Sequence, residues 1–80
     1  MIKVYILYSR SLNRYYIGHS SVLEDRLLRH NTGRSKYTKG GEPWDLIWES
    51  DCETRSEAMK LERRIKKRGA KRFLDNQLGV

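Results

Sequence analysis

The sequence contains few residues that crosslink or interrupt a chain: its 80 residues include one cysteine and one proline. Because Cys52 has no second cysteine to pair with, an intramolecular disulfide is excluded. A signal peptide, a long apolar run, an internal repeat and a linker are also missing. These absences predict one small domain over residues 1–80, soluble and cytoplasmic.

Negative charge is scarce as well. Seventeen Lys and Arg against ten Asp and Glu give a net charge of +7, which favours an anionic partner, nucleic acid before an acidic membrane surface. The positive charge is densest after residue 59, in a set that we call the basic stripe: Lys60, Arg63, Arg64, Lys67 and Arg68. We expect the stripe to bind a nucleic-acid backbone, the alternative being a solvated helix face.

Two segments near the N-terminus have the composition of β-strands. Residues 4–8 and 15–17 are rich in β-branched and aromatic side chains, and the polar segment 10–13 between them suits a hairpin loop. The sequence therefore predicts two antiparallel strands.

A hairpin closed between Ser9 and Arg14 has a defined register. Tyr5 then lies opposite Gly18, and Tyr16 becomes its diagonal neighbour on the same face, about 7–8 Å away. Gly18 would leave room beside Tyr5 for a water and a phosphate. The alternative is that both tyrosines are ordinary sheet residues.

Two capping boxes predict where helices begin. Ser21 with Glu24 and Thr54 with Glu57 each combine a hydroxyl residue with a glutamate three positions later. Helices should therefore begin near residues 22 and 55.

Turn residues and alternation complete the predicted topology. Residues 31–33 should end the first helix and Gly69 the second, while residues 44–50 alternate as a third strand. Residues 72–78 could add one or two helical turns. The order ββαβα predicts an α+β fold, a small antiparallel three-stranded sheet flanked by helices.

Helical phase places polar groups on inward arcs. At about 100° per residue, Arg26 and His30 fall inside the apolar arc of the first helix, which is formed by Val22, Leu23 and Leu27. Glu62 falls inside the arc of the second helix, which is formed by Ala58, Met59, Leu61 and Ile65. A buried carboxylate needs a partner, so Glu62 should form an ion pair, with Arg26 as one candidate, or hold a cation.

These residues form a pattern in chain order: Tyr5, Tyr16-Ile17-Gly18, Arg26, His30 and Glu62. The pattern resembles the GIY-YIG endonuclease family from residue 4 to about residue 67, and above all its small single-domain bacterial members, which have a segment like Lys36-Tyr37-Thr38. Two departures are visible. Lys3-Val4-Tyr5 keeps only the tyrosine of the first family triplet, and His19 replaces a lysine found in the nuclease module of the bacterial excision-repair incision subunit.

The resemblance implies a role for each matching residue. Glu62 would hold one Mg²⁺ or Mn²⁺, for which a single carboxylate suffices when waters and phosphate complete the shell. Arg26 would bind the scissile phosphate through its bidentate fork. Tyr5 would take the proton of the attacking water with help from His30, and Tyr16 would hydrogen-bond the phosphate or the water shell of the metal.

The function that follows from the resemblance is metal-dependent cleavage of DNA phosphodiester bonds, selective for structure or ends, with single-stranded or branched DNA as the partner. The alternative is a nucleic-acid-binding module that keeps the nuclease fold with little activity. His19 and Tyr37 are candidate rim contacts. Trp44 and Trp48 could stack on bases, but their i, i+4 spacing in a strand favours core positions on one face.

Overall fold

Three antiparallel strands and three helices follow one another in the order ββαβαα in a computed structural model that describes residues 1–33 and 36–77. The predicted α+β class is confirmed. The elements are β1 (Ile2–Ser9), β2 (Arg14–Ser20), α1 (Leu23–Asn31), β3 (Trp44–Cys52), α2 (Arg55–Arg68) and α3 (Ala70–Gln77). No helix within these ranges is both long and apolar enough to cross a bilayer.

The hairpin has the predicted register. Ser9 pairs with Arg14, and Tyr5 pairs with Gly18. The strand order is β2-β1-β3, so β1 is central and β2 has one free edge. The free edge of β2 is where the candidate site lies.

The two faces of the sheet carry different cores. On one face Tyr5, Leu7 and Trp44 are buried, with Leu23 and Leu27 of α1 packed against them. On the other face the core is mainly aliphatic and is covered by α2 and α3; it contains Val4, Ile6, Cys52, Ala58, Ile65, Ala70 and Phe73. We call them the α1 face and the α2 face.

The prediction that both tryptophans share one face is wrong. The pairing of β1 with β3 shifts between Ile6, which faces Trp48, and Leu7, which faces Leu46. This irregularity adds one residue to β3 and reverses the alternation. Trp44 is therefore buried on the α1 face, whereas Trp48 packs edge-on against Phe73 on the α2 face.

Only one of the two predicted capping boxes forms a cap. Thr54 Oγ1 accepts from the backbone N–H of Glu57 at 3.2 Å. At α1 the cap position is Val22 and has no side-chain hydrogen bond, because Ser20 instead accepts from the N–H of Val22 at 3.0 Å. The start of α1 is therefore one residue later than Ser21 would place it.

Two side chains assigned to apolar arcs are in fact exposed: Val22, which precedes α1, and Met59 on α2. The predicted helix ends are correct. Gly69 ends α2 with φ 95°, a conformation that favours glycine. The predicted additional turns form α3, which begins at Ala70; residue 78 lies outside the described part of the chain.

Candidate active site

A cleft of about 220 Å³ opens where the free edge of β2 meets α1 and α2. The strands contribute the phenols and His19, α1 contributes Arg26, and α2 contributes Glu62. Its polar lining residues are Tyr5, Tyr16, His19, Arg26, Arg55, Glu62 and Lys66. The fold thus brings together four residues predicted for chemistry, and the fifth, His30, lies directly behind Tyr5.

Tyr5 begins a chain of buried hydrogen bonds. Its hydroxyl lies 3.3 Å from Nε2 of His30, and Nδ1 of His30 lies 2.7 Å from Oγ1 of Thr38. Thr38 is fully buried, and its carbonyl accepts from the indole N–H of Trp44 at 2.9 Å. The loop that follows α1 therefore fixes the orientation of the imidazole.

This environment makes Tyr5 a weak acid. Burial, reinforced by Tyr16, raises the pKa of Tyr5 to about 12. Burial also lowers the pKa of His30, and the charge of Arg26 lowers it further. At neutral pH the phenol is therefore protonated and the imidazole is neutral, so His30 can accept a proton.

Gly18 lets both phenols come close to β2 and also lines the open cleft. A Cβ atom at this position would come within 2.8 Å of the Tyr5 hydroxyl and 3.0 Å of the Tyr16 ring. A larger residue would therefore collide with the phenols. The rings of Tyr5 and Tyr16 lie 6.3 Å apart between centroids, which confirms their placement on one face.

Glu62 has two partners at the cleft, His19 on β2 and Lys66 on its own helix, and neither is Arg26. Its Oε1 accepts from Nδ1 of His19 at 2.7 Å, and its Oε2 accepts from Nζ of Lys66 at 2.9 Å. Burial alone would raise the pKa of Glu62, but the hydrogen bonds from His19 and Lys66 outweigh it and the net pKa is lowered. The ion pair with Arg26 was therefore a wrong expectation, and Glu62 is an ionised carboxylate.

The donor set fits a magnesium-type ion rather than a site built from many protein ligands. In the described ranges, no three His, Cys, Asp or Glu side chains form a metal-binding group. Mg²⁺ retains several waters and needs only one or two carboxylates. Glu62 meets that requirement, since it is ionised and borders the open cleft, provided that Lys66 yields one oxygen.

Arg26 borders the cleft with an exposed side chain rather than a buried one. It lines the cleft from α1. The prediction that Arg26 turns away from open solvent was therefore wrong about its burial, although the side chain does reach the site. An exposed guanidinium at a cleft mouth is available to a phosphate.

Sequence reasoning missed Arg55, Lys66 and Thr38 and gave His19 only a rim position. Arg55, Glu62 and Lys66 are spaced i, i+7 and i+11, which places them on one face of α2. That spacing could have revealed the basic neighbours of Glu62. Thr38 belongs to the Lys36-Tyr37-Thr38 segment noted in the sequence, but its role was not predicted, because its contact with His30 depends on the path of the loop.

The basic stripe lies away from the cleft. All five of its residues are exposed, but Lys60, Arg64 and Lys67 lie about 140–160° around α2 from Glu62. Arg64, Lys67 and Arg68 line a separate shallow groove with Arg72. Nucleic acid in the cleft would reach the stripe only by passing around α2.

Known proteins share this architecture. A profile of the GIY-YIG catalytic domain matches residues 1–75. UPF0213 protein OB0043 of Oceanobacillus iheyensis is 42% identical over 64 residues, which cover 79% of this chain and 73% of that protein. UPF0213 protein lwe0147 of Listeria welshimeri is 45% identical over 56 residues, which cover 69% of this chain and 62% of that protein.

A solved structure extends the similarity to the whole fold. The solution NMR structure of UPF0213 protein BH0048 from Bacillus halodurans matches 98% of this chain and 82% of its own, with 30% sequence identity and a TM-score of 0.55. Residues 1–75, which the family profile matches, include every residue of the cleft. This chain therefore belongs to the GIY-YIG catalytic domain family, which is a family of nucleases.

Proposed function

We propose that the protein is a metal-dependent endonuclease that hydrolyses DNA phosphodiester bonds at the cleft. The observation that carries the proposal is the convergence of a hydrogen-bonded Tyr5–His30 pair, an accessible guanidinium and an ionised carboxylate around one opening. Hydrolysis of a phosphodiester needs a proton acceptor for water and positive charge at the phosphoryl oxygens. The cleft offers groups for both tasks.

The proton acceptor must work without a preformed phenolate. With a pKa of about 12, on the order of one Tyr5 in 10⁵ is ionised at pH 7. A neutral relay avoids this difficulty: the Tyr5 oxygen accepts the water proton while its own proton moves to Nε2 of His30. The relay requires the tautomer in which Nδ1–H of His30 donates to Thr38, which is compatible with their 2.7 Å separation.

Charge for the phosphate comes from both walls of the cleft. Arg26 binds the scissile phosphate from α1, and Arg55 and Lys66 add cationic groups from α2. One Mg²⁺ or Mn²⁺ on Glu62 would add positive charge at the phosphoryl oxygens and polarise a water. His19 holds the Glu62 carboxylate in place through Oε1.

Selectivity is proposed to depend on DNA structure or ends rather than on base sequence. Backbone contact is provided by the cations at the cleft and, at a distance, by the basic stripe, and phosphate contacts carry no sequence information. Cytoplasmic DNA, single-stranded or branched, is the substrate that we propose. The second candidate is a DNA-binding module with little activity. One observation favours it: both carboxylate oxygens of Glu62 are already paired, with His19 and Lys66, and so are not free to bind a metal ion.

Nicking of a supercoiled plasmid with and without Mg²⁺ tests the proposal. We expect wild-type nicking to require the metal, and Glu62→Gln to reduce it below detection while leaving DNA affinity within a few-fold, because a neutral amide is a poor ligand for Mg²⁺. Glu49→Gln is the matched control, since Glu49 is a half-exposed carboxylate that pairs with Lys3 outside the cleft. DNA binding by wild type without metal-dependent nicking would favour the second candidate.

A further inference from the structure

A second cavity adjoins the cleft along the free edge of β2. It is a groove of about 480 Å³ lined by Tyr15, Tyr16, Ile17, Tyr37 and Lys66. Tyr16, Ile17 and Lys66 also line the catalytic cleft, so the two cavities share a wall. We call this cavity the tyrosine groove; none of the chemistry proposed above uses Tyr15 or Tyr37.

The aromatic rings of the groove are unusually accessible. Tyr37 is 86% exposed and Tyr15 is 39% exposed. The ring of Tyr8 lies beside that of Tyr15, tilted by 48° with the centroids 5.0 Å apart. A ring that is restrained by such a neighbour loses less side-chain entropy when it stacks on a flat ligand.

The lining identifies the class of ligand. The groove combines aromatic faces with one ammonium group, and its volume falls in the range of nucleotide-sized ligand sites. Aromatic faces stack on bases of any sequence. Lys66 lines both cavities, so it offers a cation to the backbone of a strand that occupies them together. None of the described residues that line the groove is acidic, and its Lys66 ammonium is paired with Glu62 of the adjoining cleft at 2.9 Å.

We propose that the tyrosine groove binds the unpaired nucleobase next to the scissile phosphate. A base within a duplex has both faces covered by its neighbours, so only an unpaired base can stack on Tyr37 or Tyr15. The inference rests on the proposed function, and it gives that function a structural basis for selecting single-stranded or frayed DNA. The occupant is a DNA base rather than a peptide strand added to the edge of β2, because tyrosine rings and a lysine flank that edge.

Binding measured without metal separates this inference from catalysis. The 80-residue chain in EDTA is titrated with a fluorescent single strand of about 12 nucleotides and with the matching duplex, for wild type, Tyr37→Ala, Tyr15→Leu, Tyr37→Phe and Leu28→Ala. Leu28 is the control, since it is 57% exposed on α1 and lies outside the groove. We expect Tyr37→Ala to weaken single-strand binding about tenfold, duplex binding by less than twofold, and Tyr37→Phe and Leu28→Ala to leave both unchanged.

An abasic nucleotide provides a second readout. When the abasic nucleotide is placed at successive positions of the single strand, wild-type binding should weaken most at one position. Tyr37→Ala should not show this loss of affinity, because the variant lacks the ring on which the missing base would stack. Equal losses on single strand and duplex, or no loss in Tyr37→Ala and Tyr15→Leu, would overturn the inference even if wild type cleaves DNA. If Tyr37→Ala lost affinity only for the single strand but the wild-type protein did not cleave DNA, the groove would remain a base-binding site and the proposed function would be overturned. A stable dimer dissociated by Tyr37→Ala would assign the groove to a second copy of the chain and overturn the inference as well.

Discussion

The two faces of the sheet contain buried residues of different chemical character. On the α2 face the core around Ile6 and Ile65 is mainly aliphatic and is covered by two helices. On the α1 face, Tyr5, His30 and Thr38 are buried together and joined by hydrogen bonds. Burying such polar groups gives less stability than burying aliphatic ones, because the hydrogen bonds that they form inside the protein largely replace those that they made with water.

The difference agrees with the proposed location of the chemistry on the α1 face. Buried groups with shifted pKa values, such as His30 with a lowered pKa and Tyr5 with a raised one, are common at functional sites. The proposed catalytic groups of the α1 face still need α2, since Glu62 and Lys66 line the cleft from the second helix. The edge strand is therefore where the two faces meet.

The largest expected effect on stability comes from the α2 face. Ile65 is fully buried there, and Ile65→Ala should lower the free energy of unfolding by about 2–5 kcal/mol by leaving a cavity. Nicking per folded molecule should stay near wild type, because Ile65 does not line the cleft. Chemical denaturation and nicking at a temperature where the variant is folded measure the two quantities.

Ile65→Val is a milder substitution and should lower the free energy of unfolding by about 0.5–1.5 kcal/mol. If both variants lost nicking activity while folded, the assignment of stability to the α2 face and of chemistry to the α1 face would be wrong.

The pH dependence of stability should also distinguish the two faces, because His30 and Tyr5 both lie on the α1 face. Because the pKa of His30 is lowered in the native state, the unfolded chain takes up a proton at His30 at a higher pH than the folded protein does. Stability should therefore fall as pH drops below about 6.5, the ordinary pKa of histidine. The raised pKa of Tyr5 should produce the opposite loss, as pH rises from about 10 towards 12.

Urea unfolding across this pH range measures both losses, with His30→Gln as the control for the acidic limb. Nicking by wild type should also rise as His30 loses its proton at a pKa below its ordinary value. A stability curve that His30→Gln leaves unchanged between pH 4 and 6.5 would show that His30 does not titrate in this way.

The smallest effect is expected from the basic stripe. Replacing Arg63, Arg64, Lys67 and Arg68 with glutamine should reduce the slope of log K against log salt by up to about 0.9 for each duplex DNA phosphate that the stripe no longer neutralises, equally for all sequences. Since the stripe lies around α2 from the cleft, nicking at saturating DNA should change little. An unchanged slope would mean that the stripe does not contact DNA.

Local patterns predicted most of the fold. Alternation and the polar loop gave the register of β1 with β2, and Gly69 gave the end of α2, because these features depend on neighbouring residues. The irregularity in β3 escaped prediction, since the shift opposite Ile6 arises from pairing between distant strands. The same limit explains why Trp44 and Trp48 were assigned to one face.

The sequence predicted those features of the site that depend on a single helix or hairpin. Helical phase placed Arg26 and His30 on the inward arc of one helix and Glu62 on that of another, and the family resemblance assigned roles to these residues and to Tyr5. The pairing of Glu62 with His19 joins a strand to a helix 43 positions away, and the contact of His30 with Thr38 depends on a loop. Contacts of this kind require the tertiary structure.

Tyr5→Phe, compared with Tyr8→Phe, tests most directly the claim that the chemistry lies on the α1 face. The two tyrosines lie on opposite faces of β1, and each hydroxyl has a hydrogen-bond partner, His30 for Tyr5 and Asn13 for Tyr8. Each variant should lose at most about 1–2 kcal/mol of stability. Single-turnover nicking should fall about 10²–10⁴-fold in Tyr5→Phe and stay at the wild-type rate in Tyr8→Phe. Wild-type nicking by folded Tyr5→Phe would contradict the proton relay and the role of this face.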